Sequence, residues 1–237
     1  GHAWTSLGIS LGTILPEERL RVAAQWTAKG VAAAEQLGDP AALGHALAMH
    51  GNELRKNGHP SALTTLEHAA DTGPVGAGSG AAAALLARAA ATTGDSARFT
   101  SAAARCQDLI QRHGPAGSLL HPFSCREIQL RGLLDLGEYT RAIKMAQDSS
   151  AEAAPSPQWE TICQITLAAV LLHAGDHSRA GDLLLIGIDT ASERRLPHQI
   201  QRIVRITRDH SCPDLHHYAQ TVLARTCSRP VLDCASS

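Results

Sequence analysis

Net charge is what this chain has least of: 21 Lys and Arg stand against 22 Asp and Glu, leaving a formal charge of -1. A free-standing nucleic-acid binder gathers phosphate with a positive field, so any role on DNA needs another segment to hold it. Long apolar runs are missing too. None reaches the ~18 residues of a membrane span, and the opening GHAWTSLGISLGTILPEE has neither a basic flank nor an Ala-x-Ala cleavage site. No membrane partner and no export are therefore expected. The six cysteines (Cys106, Cys125, Cys163, Cys212, Cys227 and Cys234) contain no Cys-x-x-Cys and form no dense framework, which fits a reducing cytoplasm. The β-branched, alternating runs that strands require are absent as well.

What is present is apolar spacing of three and four along nearly the whole chain, the period of an amphipathic helix. A turn recurs between these Ala/Leu-rich stretches, as NGHPSAL at Gly58, TGDSARF at Gly94, LGEYTRAI at Gly137 and AGDHSRAG at Gly175. The glycines lie 36, 43 and 38 residues apart, the period at which helix pairs stack into a solenoid. One pair cannot bury its own apolar face, so neighbours must stack to build a core. The expected fold is all-α: antiparallel helix pairs in a right-handed, tetratricopeptide-like solenoid of about ten to twelve helices, one domain over 1–237.

The predicted helices are Trp4 to Leu11, a segment after Pro16 closed by Gly38, Pro40 to Asn57, Pro60 to Asp71, Gly80 to Thr93 and Asp95 to His113. Then come Pro122 to Leu136, Glu138 to Ser149, Pro157 to Ala174, Asp176 to Arg195, Pro197 to Asp209 and Pro213 to Cys227. Regularity breaks at 71–80, 113–123 and 150–157. The chain begins with Gly1 and not Met, and its first piece reads as the end of a repeat whose start is missing, so the N-terminus reads as cut or, at residues 1–2, as a cloning remnant.

Chemistry-bearing motifs are sparse. GAGSGA at 76–81 has the form of a dinucleotide loop, but no strand feeds it, so a helix connector is the better reading. His121 and Cys125 sit at a helix start, where a thiol could be activated, yet no third orienting group is visible. A buried helix cysteine is the plainer account. His173 and His177 are separated by a helix break, and His45 and His50 face different ways, so neither a metal nor another cofactor is expected.

Three charged segments carry more. In PFSCREIQLRGLLDLG, Glu127 falls on the apolar stripe with Phe123, Leu130 and Leu134, and Arg131 lies one turn on. A charge drawn into an apolar stripe is paired or faces a cavity, so Glu127 and Arg131 form either a structural ion pair or part of a pocket near Trp159. In MHGNELRKNG, Asn52 and Arg55 are three apart. In RLPHQIQRIVRITRD, Ile200, Ile203, Val204 and Thr207 make one side, while Arg202, Arg205 and Arg208 make a basic side, read first as a solvated face and second as an anion site or a contact to a partner domain.

MHGNELRKNGHPSALTTLEHA, ALLARAAATTGD, HPFSCREIQLRGLLDLGEYTRAI, PQWETI with LLHAGDHSRAGDLL, and RLPHQIQRIVR, in that order, resemble the C-terminal tetratricopeptide region of actinobacterial XRE-type helix-turn-helix transcriptional regulators. The resemblance implies an N-terminal DNA-binding domain followed by a solenoid that senses a ligand or partner and supports a homodimer. It carries over no individual ligand residue. The chain departs from the pattern in having no helix-turn-helix before Trp4, and in Cys125, where an aliphatic residue would suit.

The resulting expectation is a sensing domain acting by binding and conformational coupling, more binder than enzyme, with a small molecule or peptide in its concave groove. Candidate ligand residues are Asn52, Arg55, Phe123, Glu127, Arg131, Trp159, Gln199 and Arg202. A stand-alone peptide or protein scaffold is the alternative. A repurposed biosynthetic enzyme, with Glu127 as acid or base, is the second.

Overall fold

A computed structural model describes residues 1–72, 77–148 and 152–228. Among them run twelve α-helices: α1 (His2–Ile14), α2 (Leu20–Leu37), α3 (Pro40–Lys56), α4 (Ala62–Asp71), α5 (Ala77–Thr92), α6 (Ser96–His113), α7 (Pro122–Asp135), α8 (Tyr139–Gln147), α9 (Pro157–His173), α10 (His177–Glu193), α11 (Pro197–Asp209) and α12 (Pro213–Ser228). No strand occurs among the described residues. Local chemistry sets the starts. Proline occupies the first turn of α3, α7, α9 and α11, where its missing N–H costs nothing. Asp39, Asp95, Ser156 and Asp176 accept first-turn amides as caps.

The stops repeat one motif. Gly58, Gly94, Gly137 and Gly175 all have φ between 65° and 80°, the left-handed conformation that glycine adopts without strain. At each, the glycine N–H returns to a carbonyl three residues back and the next N–H to one five residues back, as in Gly137 to Leu134 (3.0 Å) and Glu138 to Leu133 (2.8 Å). This double closure satisfies the last helical carbonyls. The last two turns keep the geometry without glycine, at Arg195 (φ 52°) and Ser211 (φ 55°).

Packing follows chain order, with every helix against the next, and α1, α3, α5, α7, α9 and α11 also touching in succession as an inner row. The row closes: α11 reaches back to α1 and to the single 3-10 turn at Glu17–Arg19. The solenoid is therefore a ring with its ends in contact. The seam is polar. Arg205 holds Glu17 with two bonds of 2.6 and 2.9 Å, Gln201 donates to Glu18 at 2.8 Å, and the Glu17 amide donates to Gln201 at 2.9 Å.

Two cores support the ring. The larger centres on α5, whose Ala82, Ala83, Ala84, Leu85, Ala87, Ala89, Ala90 and Ala91 are buried among α3, α4, α6 and α7. Such a helix, enclosed on all sides, needs small side chains for its neighbours to approach. The smaller uses branched residues, with Ile165, Leu184, Ile188, Ile200 and Ile203 joining α9 to α12.

The helix pattern agrees with the one read from sequence, with differences at the ends. The first helix starts at His2 and runs to Ile14, beyond Trp4 to Leu11, and α5 begins at Ala77, before Gly80. The segment after Pro16 opens with the 3-10 turn before α2. Residues 73–76, within the first predicted break and at the start of GAGSGA, and residues 149–151, at the end of the predicted Glu138 to Ser149 helix and the start of the third break, lie outside the described residues.

Candidate functional site

The ring lines a cavity of about 700 Å³ that opens to solvent, and each inner helix contributes to its wall. Helical spacing explains how. His45, Met49, Asn52 and Lys56 on α3, and Ala81, Leu85, Arg88 and Thr92 on α5, follow the 0, 4, 7, 11 pattern of a single stripe. Arg131 and Asp135 come from α7, Trp159 and Ile162 from α9, and His198, Gln199, Arg202 and Arg205 from α11. Ile9 and Thr13 of α1 complete the circuit. The predicted break at 113–123 is an ordered lip: Ala116 through Leu119 line the cavity, and the Ala116 amide bonds the Leu120 carbonyl at 2.8 Å.

Cations dominate the wall. Lys56 is matched by buried Glu53 at 2.7 Å, and Arg205 by Glu17. Arg55 donates to the neutral Asn52 side-chain oxygen at 2.9 and 3.3 Å. Arg88 and Arg131 make no hydrogen bond or ion pair among the described residues, and the Arg88 Nε is buried without a partner. Arg202 is 7% exposed. Its Nη2 donates to Thr166 Oγ1 at 2.8 Å, while its Nη1 lies 3.9 Å from Glu127 and makes no hydrogen bond.

These placements disfavour charge. Burial, reinforced by Arg88 and Arg131, pushes Arg55 well below its usual range. Burial and Arg131 lower Arg88 to about 10, and the same causes bring Arg202 to about 9. Arginine does not give up its proton in proteins, so the shifts measure how poorly the wall's own groups compensate its charge. Burial, then Lys56, Arg131 and Arg88, takes His198 down to about 3, leaving a neutral imidazole whose Nδ1 has no partner.

Family models, curated proteins and solved structures gave no match to this chain.

Of the eight candidate residues, Asn52, Arg55, Arg131, Trp159, Gln199 and Arg202 line the cavity together. Phe123 does not; it packs against the larger core. Glu127 lies behind the wall, with no exposed surface, accepting from Thr166 at 2.6 Å. The expected Glu127–Arg131 pair does not form. One helical turn is enough to put Arg131 on the cavity while Glu127 turns to α9 and α11, where Arg202 is its cation. As placed, Glu127 does not reach the cavity as an acid or base.

The basic side of α11 is not one solvated face: Arg202 is buried, Arg205 clasps Glu17, and only Arg208 is largely exposed, beside Asp209. His121 caps α7 by accepting the Phe123 amide at 3.3 Å, and buried Cys125 donates to the Leu119 carbonyl at 3.6 Å. Cys106, another buried thiol, lies beside it and pulls the Cys125 thiol below its usual range. No group of three or more metal-ligating side chains occurs among the described residues.

Sequence reasoning passed over Arg88, His198 and Lys56. Arg88 had a usable signal, being the one charged residue in the α5 segment AGSGAAAALLARAAAT. A lone charge in an otherwise apolar helix has to face something polar. Lys56 had no such mark, since Arg55 and Asn57 beside it are themselves polar, and His198 follows a first-turn proline at a helix start where polar residues are common.

Proposed function

We propose that this chain is a ligand-sensing helical-repeat domain, the regulatory part of a transcriptional regulator, which binds a molecule in the central cavity and answers by changing the ring's shape. The observation that carries the reading is that both ends of the solenoid help wall the cavity and meet mainly through side-chain polar contacts. A molecule inside touches α1 and α11 together, so binding and seam geometry share one free energy. A DNA-binding domain joined to either end would feel that change. With a formal charge of -1, the chain itself supplies no general field for DNA.

The reading is tested by a small-molecule thermal-shift screen. Binding is followed through Trp159 fluorescence in a Trp4→Phe/Trp26→Phe background and through amide hydrogen exchange. Binders are expected to alter Trp159 emission and slow exchange in α1 and α11. Saturating binding in the cavity with exchange in both helices unchanged would overturn the proposal, because it would separate occupancy from the seam.

A further inference from the structure

We propose that the cavity takes a small organic molecule bearing two or more negative charges, as phosphate or carboxylate groups, on an apolar body, gripped by Arg55, Arg88, Arg131 and Arg202. This rests on the reading of the cavity as a binding site and names the chemistry it selects.

The wall's charges do not cancel among themselves. Once Lys56 is set against Glu53 and Arg205 against Glu17, four arginines remain. Three carboxylates act on them: Glu53 on Arg55, Asp135, which is exposed and in no ion pair, and Glu127, which sits behind the wall and is 3.9 Å from Arg202. The four come from α3, α5, α7 and α11, so their convergence belongs to the ring and not to one basic helix. A surface patch would be screened by water and salt. Here burial penalises the charge on Arg55, Arg88 and Arg202.

Wall residues also carry polar atoms without partners. Arg202 Nη1 is an unused donor on a side chain more than nine-tenths buried, and Arg88 Nε is a second donor. Guanidinium forks match the paired oxygens of phosphate and carboxylate. Gln199 Oε1, on a residue 4% exposed, is an acceptor without a donor and asks for a hydroxyl or amine on the same molecule. Leu85, Met49, Trp159 and Ile162 supply the apolar part of the wall. The volume, about 700 Å³, falls in the range of small-molecule sites, and the joined α1 and α11 favour a compact molecule over an extended peptide.

The test uses the intact chain with 1-naphthyl phosphate, neutral 1-naphthol, pyrophosphate and citrate, read by calorimetry and melting temperature. Naphthyl phosphate is expected to bind about tenfold or more tightly than naphthol, with affinity falling as salt rises. Pyrophosphate against citrate distinguishes phosphate from carboxylate as the preferred group. Arg88→Met and Arg131→Met should each weaken naphthyl phosphate about tenfold, with helicity by circular dichroism retained. If either fails to fold, the other variant and the salt dependence of the unaltered chain carry the test. Equal binding of naphthol and naphthyl phosphate, or arginine variants that bind as before, would overturn the proposal. If neutral molecules bind and protect α1 and α11 while anions do not, the anionic class is wrong and the sensing reading stands. If anions bind through the arginines with the seam unchanged, the sensing reading falls and this assignment stands.

Discussion

The seam between α1 and α11 and the cavity wall behind it are both rich in charge, but they are built on opposite plans. At the seam the polar groups are matched: Arg205 holds Glu17, and Gln201 bridges Glu18 and the Glu17 amide. Along the wall, Arg88 and Arg131 meet none, and Arg202 keeps an unpaired donor beside a carboxylate 3.9 Å away. A matched seam is what two ends need in order to stay together. An unmatched wall costs stability, and the difference separates groups that close the ring from groups whose partner must come from outside.

The largest expected effect comes from making the wall more uneven. Glu127→Ala removes the acid facing buried Arg202 and leaves Thr166 without its carboxylate acceptor. Urea denaturation should show a loss of about 3–5 kcal/mol, as for a broken buried pair; Glu127→Gln, which keeps the shape and one acceptor, should lose about 1–3 kcal/mol. Equal stability in both variants would mean that Glu127 does not balance Arg202.

Acid should act next. His198 is held down to about 3 in the folded chain against about 6.5 when unfolded. Between those values the unfolded state binds the extra proton, so stability falls as pH falls, by at most about 1.4 kcal/mol per pH unit from this group. His45 and His50, lowered chiefly by burial, act in the same direction. Stability measured from pH 7 to 4 should drop, and His198→Gln should flatten the slope. A slope unchanged in that variant would assign the pH dependence to other groups.

Relieving the wall should have the opposite sign. Arg88→Met keeps an unbranched apolar stem and removes an uncompensated charge, so the melting temperature at low salt should rise, by about 1 kcal/mol of added stability. A marked loss would show that Arg88 is compensated after all.

The smallest effect belongs to the seam. Glu17 and Arg205 are each more than one-third exposed, and exposed pairs contribute little. Glu17→Gln should cost about 0.5 kcal/mol, fade in high salt, and speed exchange in α1 more than elsewhere. A loss as large as that of Glu127→Ala would make the seam a main support of the fold.

Much of this organisation could be read from residue order. Apolar spacing, first-turn prolines and the four glycine turns are local signals, because a helix end needs its own carbonyls closed and an open solenoid needs a stripe to stack on. Asn52, Arg55, Arg131, Trp159, Gln199 and Arg202 were found for the same reason: polar or aromatic groups beside an apolar stripe stand out along the chain. Partnership was not local. Glu127 and Arg131, one turn apart, looked like a pair, yet α9 and α11 supply the partners of Glu127 from Thr166 and Arg202. Only the ring brings Glu17 to Arg205 across 188 positions, and only closure turns four scattered arginines into one cavity wall. Helical periodicity is written within a dozen residues, whereas the balance of charge in a cavity depends on which distant helices share it.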